Sequence, residues 1–195
     1  SSHRRQRQMC IRDRDWIFIE LRDKDDPQLV LATRSVLLQR DGDVVDTNNL
    51  SAPMFGGVQP AHYFVSIRHR NHLGIMTADS IALGYLPSAI DFTDSSTATY
   101  GIDARKEIAP GLLAMKAGDV NFDNKIRATG PLAINDRQGV SSELGSLLLE
   151  TGVYKPEDIN MDGILSKIGP ITQNDFQLLA ALLVTPLSII LGQLP

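Results

Sequence analysis

A pattern of carboxylate and amide side chains at alternate positions occurs twice near the C-terminal end of this chain. The first copy contains Asp119, Asn121 and Asp123, and the second repeats the same residue types 39 positions later, as Asp158, Asn160 and Asp162. In both copies a Gly-Pro pair and an Asn-Asp pair follow at matching distances: Gly130-Pro131, Asn135-Asp136, Gly169-Pro170 and Asn174-Asp175. Oxygen donors at alternate positions can converge on one hard cation while the backbone wraps around it. The repeat therefore predicts two metal-binding loops.

Calcium suits these side chains best, because it takes about six to eight oxygen ligands in flexible geometry. The Asp-x-Asn-x-Asp residues fit positions 1, 3 and 5 of an EF-hand-type loop, and position 7, here Lys125 and Ile164, donates a backbone carbonyl. Position 6 needs a residue that tolerates positive φ, which Asn124 and Gly163 supply. Magnesium prefers few protein ligands and retained water, so it suits these loops less. We expect two bound calcium ions.

The last ligand of each loop departs from the EF-hand pattern. Position 12, where that pattern has an acid, is Gly130 or Gly169, and the next shared acids, Asp136 and Asp175, fall at position 18. We expect a six-residue insertion carrying Gly-Pro to bulge out, so that these aspartates close the sites. The predicted metal ligands are then Asp119, Asn121, Asp123, Lys125, Asp136, Asp158, Asn160, Asp162, Ile164 and Asp175.

Position 8 of each loop is apolar, which predicts how the two loops are held together. The apolar residues at position 8, Ile126 and Leu165, are suited to pairing the two loops and anchoring them to a common core.

The alternative without a metal is that Asp and Asn merely form Asx-turns and cap helices. Two copies in register, each with the same distant partners, favour the metal.

The rest of the chain predicts two domains. Residues 15–117 read as an antiparallel, Ig-like β-sandwich of short strands, with candidates at 15–22, 29–39, 44–45, 62–68, 73–77, 81–83 and 89–92. Ile17, Ile19 and Leu21 alternate with Trp16 and Phe18, which places them on opposite faces. An Asp41-Gly42 hairpin turn is expected between the second and third candidates.

Residues 118–184 are predicted to form a small α domain with two EF-hand-like loop–helix repeats, at 119–150 and 158–184. The apolar spacing predicts helices over Ser141–Glu150 and Phe176–Val184, the second ended by Pro186. Residues 185–195 read as a tail packed on the β-domain. A membrane span is not favoured, because polar residues and Pro186 interrupt this apolar end.

Charge separates the start of the chain from the rest. The 195 residues carry a formal charge of −4, but residues 1–14 contain five arginines and one acid, so the remainder is at −8. An acidic body suits cation binding and argues against a nucleic-acid partner. The end of this stretch, RQMCIRDR, resembles translated sequencing-adapter sequence of metagenomic reading frames, and we expect residues 1–14 to be a non-native or disordered leader. It holds the single cysteine, Cys10, so no disulfide is expected.

Other side chains indicate no catalysis. His62, His69 and His72 invite a metal reading, but residues three apart on a strand face opposite ways unless the chain bends, which Asn71 could allow. No third ligand has plausible spacing, so a structural role is expected. Arg70 reads as part of a solvated sheet face or an ion pair. The chain contains neither a Gly-x-Ser-x-Gly elbow nor a phosphate-binding glycine loop, so we expect a protein that is not an enzyme.

The paired loops resemble those of dockerin modules, which carry two calcium loops each followed by a helix. The variant with Gly-Pro and then Asn-Asp is similar to C-terminal repeats of large secreted proteins of Bacteroidota, and DWIFIELRDK, ATRSVLLQRDGDVVD and HYFVSIRHRNHLGIMT look like the uncharacterised β-domain upstream of them. The resemblance implies calcium binding and an extracellular or cell-surface location. A separate hypothesis is that the calcium domain docks a cohesin-like protein partner or contacts neighbouring domains of the parent chain. An alternative is a carbohydrate-binding accessory region of a larger secreted enzyme.

Overall fold

The structure, a computed structural model, describes residues 14–39, 42–47, 51–183, 185 and 187–195. The predicted leader up to residue 13 with Cys10, the turn residue Asp41, and Val184 and Pro186 at the end of the second predicted helix lie outside these ranges. Within them the fold is mostly antiparallel β-sheet with two short α-helices. The prediction of a β-rich, antiparallel fold is therefore confirmed.

The chain divides into two compact units, and each unit is made of two separate stretches of the sequence. The first comprises the chain up to Ile67 together with 80–89, and the second comprises 68–79 together with 90–195. The boundary predicted near residue 117 lies inside the second unit, and the predicted domain limits stay a prediction.

The first unit is built on an antiparallel sheet. Its strands are β1 (Arg14–Asp23), β2 (Val30–Gln39), β3 (Val44–Val45), β4 (Ala61–His69, whose last two residues belong to the second unit) and β6 (Ile81–Leu83). Strand β5 (His72–Met76), which lies between β4 and β6 in the sequence, belongs to the second unit. The order is β3-β2-β1-β4, with β6 paired to β4. The register aligns Ile17 with Val36, and Leu37 with Val45.

The predicted alternation in β1 is confirmed. Ile17, Ile19 and Leu21 are buried, whereas Trp16 and Phe18 on the other face are exposed, as period-two patterning requires. The predicted hairpin between β2 and β3 is present: the Gln39 N–H donates to the Asp43 carbonyl at 2.7 Å, and Gly42 has a φ of 94°.

The second unit begins with two hairpins. The end of β4 turns at Arg70 and Asn71 into β5 (His72–Met76), and β7 (Arg105–Ala109) pairs with β8 (Leu112–Met115). The Leu73 N–H donates to the Lys116 carbonyl at 2.8 Å, which joins β5 to the segment after β8. Sequence patterning missed β7 and β8, and it wrongly predicted a strand over 89–92, which has no strand residues.

The repeated region has the same element order in both copies. The first runs β9 (Lys125–Arg127), a 3₁₀ turn (Leu132–Ile134), α1 (Asp136–Leu144) and β10 (Leu149–Thr151). The second runs β11 (Ile164–Ser166), a 3₁₀ turn (Ile171–Gln173), α2 (Asp175–Leu182) and β12 (Ile189–Leu191). Strand β10 pairs with β11, and β12 pairs with β9. Each repeat therefore supplies the strand that pairs with the loop strand of the other.

This exchange corrects two expectations. The loop strands β9 and β11 do not pair with each other. Each pairs instead with the strand that follows the helix of the other repeat, β9 with β12 and β11 with β10. The predicted tail is also not simply packed on the upstream sheet, since Ile189–Leu191 forms β12 and pairs with β9. No helix within the described ranges is long and apolar enough to cross a membrane.

The core of the second unit repeats with the same 39-residue period. It consists of four equivalent pairs, Val120 and Ile159, Ile126 and Leu165, Val140 and Leu179, and Leu144 and Leu183, joined by Leu73 and Ala128. The prediction that Ile126 and Leu165 anchor both loops to a common core is confirmed, since both are fully buried in this cluster.

The first predicted helix was misplaced. Helix α1 begins at Asp136, five residues before the predicted start, and ends at Leu144 because Gly145 adopts a φ of 54°, which only glycine adopts at little cost. Leu147 and Leu148 are exposed, and Leu149 belongs to β10. Helix α2 agrees with its prediction within about a residue over the described range.

Candidate metal centre

The first acidic loop folds around its own carboxylates. Asp119 accepts hydrogen bonds from the backbone N–H groups of Asp123 and Asn124, both at 3.1 Å, and the Asn121 side chain accepts from Asp123 N–H at 3.0 Å. Phe122 and Asn124 both have a φ of 62°. The left-handed conformation predicted for position 6 is therefore confirmed at Asn124, whereas that of Phe122 was not foreseen.

The second loop has closely similar geometry. Asp158 accepts from the Gly163 N–H at 3.1 Å, Asn160 from the Asp162 N–H at 3.1 Å, and Asp162 from the Ile164 N–H at 2.8 Å. Met161 and Gly163 repeat the positive φ of the first loop, at 59° and 78°. Two loops of different sequence thus share left-handed residues at positions 4 and 6.

The aspartates at position 18 accept hydrogen bonds from both ends of their loops. Asp136 accepts from the Val120 N–H at 3.0 Å and from the Arg127 N–H at 2.8 Å. Asp175 accepts from the Ile159 N–H at 2.8 Å and from the Ser166 N–H at 2.9 Å. Both aspartates are completely buried. Positions 2 and 9 of each loop are therefore tied to one carboxylate at the start of the following helix.

The Gly-Pro and Asn-Asp pairs explain how these aspartates reach the loops. Gly130 and Gly169 adopt φ of 110° and 95°, and the prolines after them precede the two 3₁₀ turns. The side chains of Asn135 and Asn174 then accept hydrogen bonds from the third residue of α1 and α2, as helix caps do. The insertion thus makes a turn of its own and delivers an aspartate to the first position of a helix, facing the loop.

Burial and mutual repulsion raise the pKa values of the loop carboxyls. The pKa of Asp119 is raised to about 6 by loss of hydration and by the charges of Asp136 and Asp123. Burial raises the pKa of Asp136 to about 6 against the lowering effect of its backbone hydrogen bonds. The pKa of Asp158 is likewise raised to about 6, chiefly by burial, and that of Asp175 is raised for the same reason. A cation among these groups would reverse such shifts.

Each loop keeps one buried carboxylate oxygen with no hydrogen-bond partner, Oδ1 of Asp123 in the first loop and Oδ1 of Asp158 in the second. A guanidinium lies beside each of these carboxylates: Arg127 is 3.1 Å from Asp123, and Arg70 is 3.9 Å from Asp158. The arginines offset part of the charge, yet the two Oδ1 atoms remain as acceptors without donors.

The structure brings together four predicted ligands in each loop, and it places the position-7 residues on strands. Lys125 lies in β9 opposite Leu191, and Ile164 lies in β11 opposite Thr151. Considering the described residues alone, no three His, Cys, Asp or Glu side chains are already arranged to hold a metal ion. The donor set is nevertheless one of carboxylate and amide oxygens, the ligand type that calcium takes.

Sequence reasoning missed the turn that joins the two loops. Asn71 is completely buried; its side-chain N–H₂ donates to the Asp158 carbonyl at 2.7 Å, and its own carbonyl accepts from the Gly118 N–H at 2.7 Å. Beside it, Arg70 lies over the Tyr154 ring at 4.5 Å and donates to the Lys155 carbonyl. Asn71 and Asp158 are 87 positions apart, so no local sequence pattern could indicate this contact.

Comparison with models of known protein families, with curated proteins and with solved structures finds no significant match.

Proposed function

We propose that the second unit is a two-site calcium-binding module, and that the chain acts as a non-catalytic structural or interaction protein outside the cell or at its surface. The observation that carries this proposal is the burial of three aspartates with pKa values near 6, Asp119, Asp136 and Asp158, in two loops of matching backbone. Carboxylates removed from water are costly unless a cation or hydrogen bonds compensate them.

In this proposal the repeats are EF-hand-like loop–helix units in which the closing acid comes from the helix start. The first ion would be held by side chains of Asp119, Asn121, Asp123 and Asp136, and by the Lys125 carbonyl. The second would be held by Asp158, Asn160, Asp162 and Asp175, and by the Ile164 carbonyl. The first unit would be an Ig-like β-sandwich, for which the buried face of β1 supplies a suitable packing surface.

Two observations favour calcium over simple capped turns. Asp91 and Asp94 form simple Asx-turns elsewhere in the chain, since each side chain accepts a hydrogen bond from the backbone N–H two residues later. Both carboxylates are exposed, and the pKa of each is lowered. In the repeats the aspartates at positions 1 and 18 are buried, and their pKa values are raised. Turn formation alone does not require a charged group to be buried.

Calcium binding would add directly to the stability of the second unit, because a ligand that binds only the folded state stabilises it. The test compares thermal unfolding in chelator and in millimolar calcium for the natural chain, for Asp119→Ala with Asp158→Ala, and for Asp91→Ala with Asp94→Ala. The last pair removes two aspartates that also bond to backbone N–H groups but lie in an exposed turn.

We expect calcium to raise the melting temperature of the natural chain and of the exposed-turn variant, and to leave the loop variant unchanged. A calcium shift that persists undiminished without Asp119 and Asp158 would refute the proposal. A loop variant that is already unfolded in chelator would be replaced by Asp119→Asn with Asp158→Asn, which removes the charge but keeps the side-chain shape and one acceptor oxygen at each position.

A second candidate function, calcium-dependent docking of a protein partner of the cohesin type, is favoured by exposed apolar side chains on the inserted segments. Leu132 on the first 3₁₀ turn is 54% exposed, and Ile171 on the second is 46% exposed. The double variant Leu132→Asp with Ile171→Asp should abolish capture of a partner from matched secretions while leaving the calcium shift intact. Equal capture by this variant and the natural chain would exclude these turns as the docking surface.

A further inference from the structure

Three polar atoms converge at the turn between β4 and β5. The Nδ1 atoms of His69 and His72 are 2.9 Å apart, and the Asn71 Oδ1 atom lies 3.0 Å from the first and 2.7 Å from the second. The two rings meet edge to face, with their centroids 4.7 Å apart. The bend at Arg70 and Asn71 thus brings to one point two histidines that a straight strand would hold on opposite faces.

A hydrogen bond made by its nitrogen atom fixes the orientation of the Asn71 amide. Its N–H₂ donates to the Asp158 carbonyl at 2.7 Å, so its Oδ1 atom is the one directed at both rings. Asn71 is completely buried, and Leu73 on the next strand is part of the hydrophobic core. The two histidines are only partly buried. Protein therefore encloses the Asn71 oxygen and the Nε2 atom of His69, while other atoms of the two rings have access to solvent.

No placement of protons satisfies all three contacts. An amide oxygen only accepts, so both Nδ1 atoms must carry hydrogen to bond with Asn71. Both N–H groups then point at the same oxygen, and their nitrogen atoms are crowded together at 2.9 Å. If instead one Nδ1 is an acceptor for the other, its lone pair faces the Asn71 oxygen at 2.7 Å or 3.0 Å. Every arrangement therefore leaves two like groups in contact.

A metal ion would convert all three repulsive or competing contacts into bonds. Donors at adjacent positions of an octahedral ion with bonds of about 2.1 Å are separated by about 3.0 Å, and imidazole is a preferred ligand of nickel, copper and zinc. The observed separations of 2.7 to 3.0 Å match this spacing. We propose that His69, His72 and Asn71 form a binding site for one divalent first-row transition-metal ion, with water in the remaining positions.

This site is distinct in chemistry from the acidic loops, since two of its donors are nitrogen and none is a carboxylate. The natural test probe is Ni²⁺, titrated calorimetrically into the tag-free chain in the presence of excess calcium, which occupies hard oxygen sites. All variants carry His3→Ala, so that His62, His69 and His72 are the remaining histidines. His62→Ala is the matched control, because His62 is an exposed histidine on the same strand as His69.

We expect one Ni²⁺ ion per chain, unchanged affinity in the His62→Ala variant, and a loss of roughly tenfold or more in His69→Ala and in His72→Ala. A Cu²⁺ adduct should show two nitrogen donors by electron paramagnetic resonance, and one in either single variant. Undiminished Ni²⁺ binding in His69→Ala, no binding to the parent chain, or a copper spectrum without two nitrogens would each overturn the proposal. Circular dichroism verifies that the variants are folded.

Discussion

The closing aspartates are the most unusual residues of the proposed calcium sites. Asp136 and Asp175 are completely buried, and each accepts backbone N–H groups from opposite ends of its loop. A carboxylate in this position holds the loop together even without a metal. It also puts a negative charge next to the carboxylates at positions 1 and 5, which only a cation can offset fully.

Replacing Asp136 with asparagine should weaken calcium binding at the first loop by about tenfold or more, because ligand charge tunes calcium affinity. The amide keeps the side-chain shape and one of the two acceptor oxygens, and circular dichroism verifies that the variant is folded before its affinity is measured. Calorimetry resolves the two sites, and Asp175→Asn is the matched change in the second loop. Unaltered affinity in both variants would mean that these aspartates are structural and that the sites close in another way.

The stability of the metal-free chain should decrease as the pH rises from about 5 to about 7.5. Asp119, Asp136 and Asp158 have folded-state pKa values of about 6 against ordinary values of 3.8. Between these values the folded chain holds more protons than the unfolded chain, so the free energy of unfolding is lost as the pH passes through 6. The pKa values of Asp91 and Asp94 are lowered, so these groups change the stability at pH values below this range.

Thermal unfolding in chelator across this pH range measures the effect. In calcium the trend should reverse, because the ion binds the ionised carboxylates and competes with protons. A melting temperature in chelator that rises steadily from pH 5 to pH 7.5 would contradict the raised pKa values.

Among the elements, the exchanged strands couple the two repeats. Strand β12 follows the second helix but pairs with the first loop, and β10 follows the first helix but pairs with the second loop. Neither loop strand is held by its own repeat alone. We therefore expect a defect in one repeat to affect the metal site of the other.

Proline at the centre of an exchanged strand should test this coupling, since it removes a backbone donor and is poorly tolerated within a ladder. Ile190→Pro in β12 lies opposite Ile126 and should weaken calcium binding at the first loop. Glu150→Pro in β10 lies opposite Leu165 and should weaken the second. The amide signals of Asn124 and Gly163 report the two sites separately by NMR. Equal effects of each variant on both sites would argue against the exchange.

What the sequence could predict at the level of elements depended on local patterning. The alternation of Ile17, Ile19 and Leu21 predicted β1, and the apolar run after Asp175 predicted α2. The 39-residue period aligned the loop positions. Strands β10 and β12 could not be predicted in this way, because three residues such as Leu149–Thr151 carry no periodicity and gain their structure from a partner strand distant in sequence.

Taken whole, the second unit combines segments that the sequence separates widely. Asn71 bonds to the residue before the first loop and to the first residue of the second. Its contribution could not be predicted from the repeats, whose pattern begins almost fifty positions later. The repeated core pairs, such as Ile126 with Leu165, could be predicted because their spacing follows that of the acidic residues.

Calorimetric titration of the chelator-stripped, full chain measures directly whether both loops bind calcium. We expect two calcium ions per chain, with uptake abolished in the variant lacking Asp119 and Asp158. No uptake at millimolar calcium, under conditions where circular dichroism shows a folded chain, would contradict the central claim. The loops would then be hydrogen-bonded turns that bury their carboxylates without a cation.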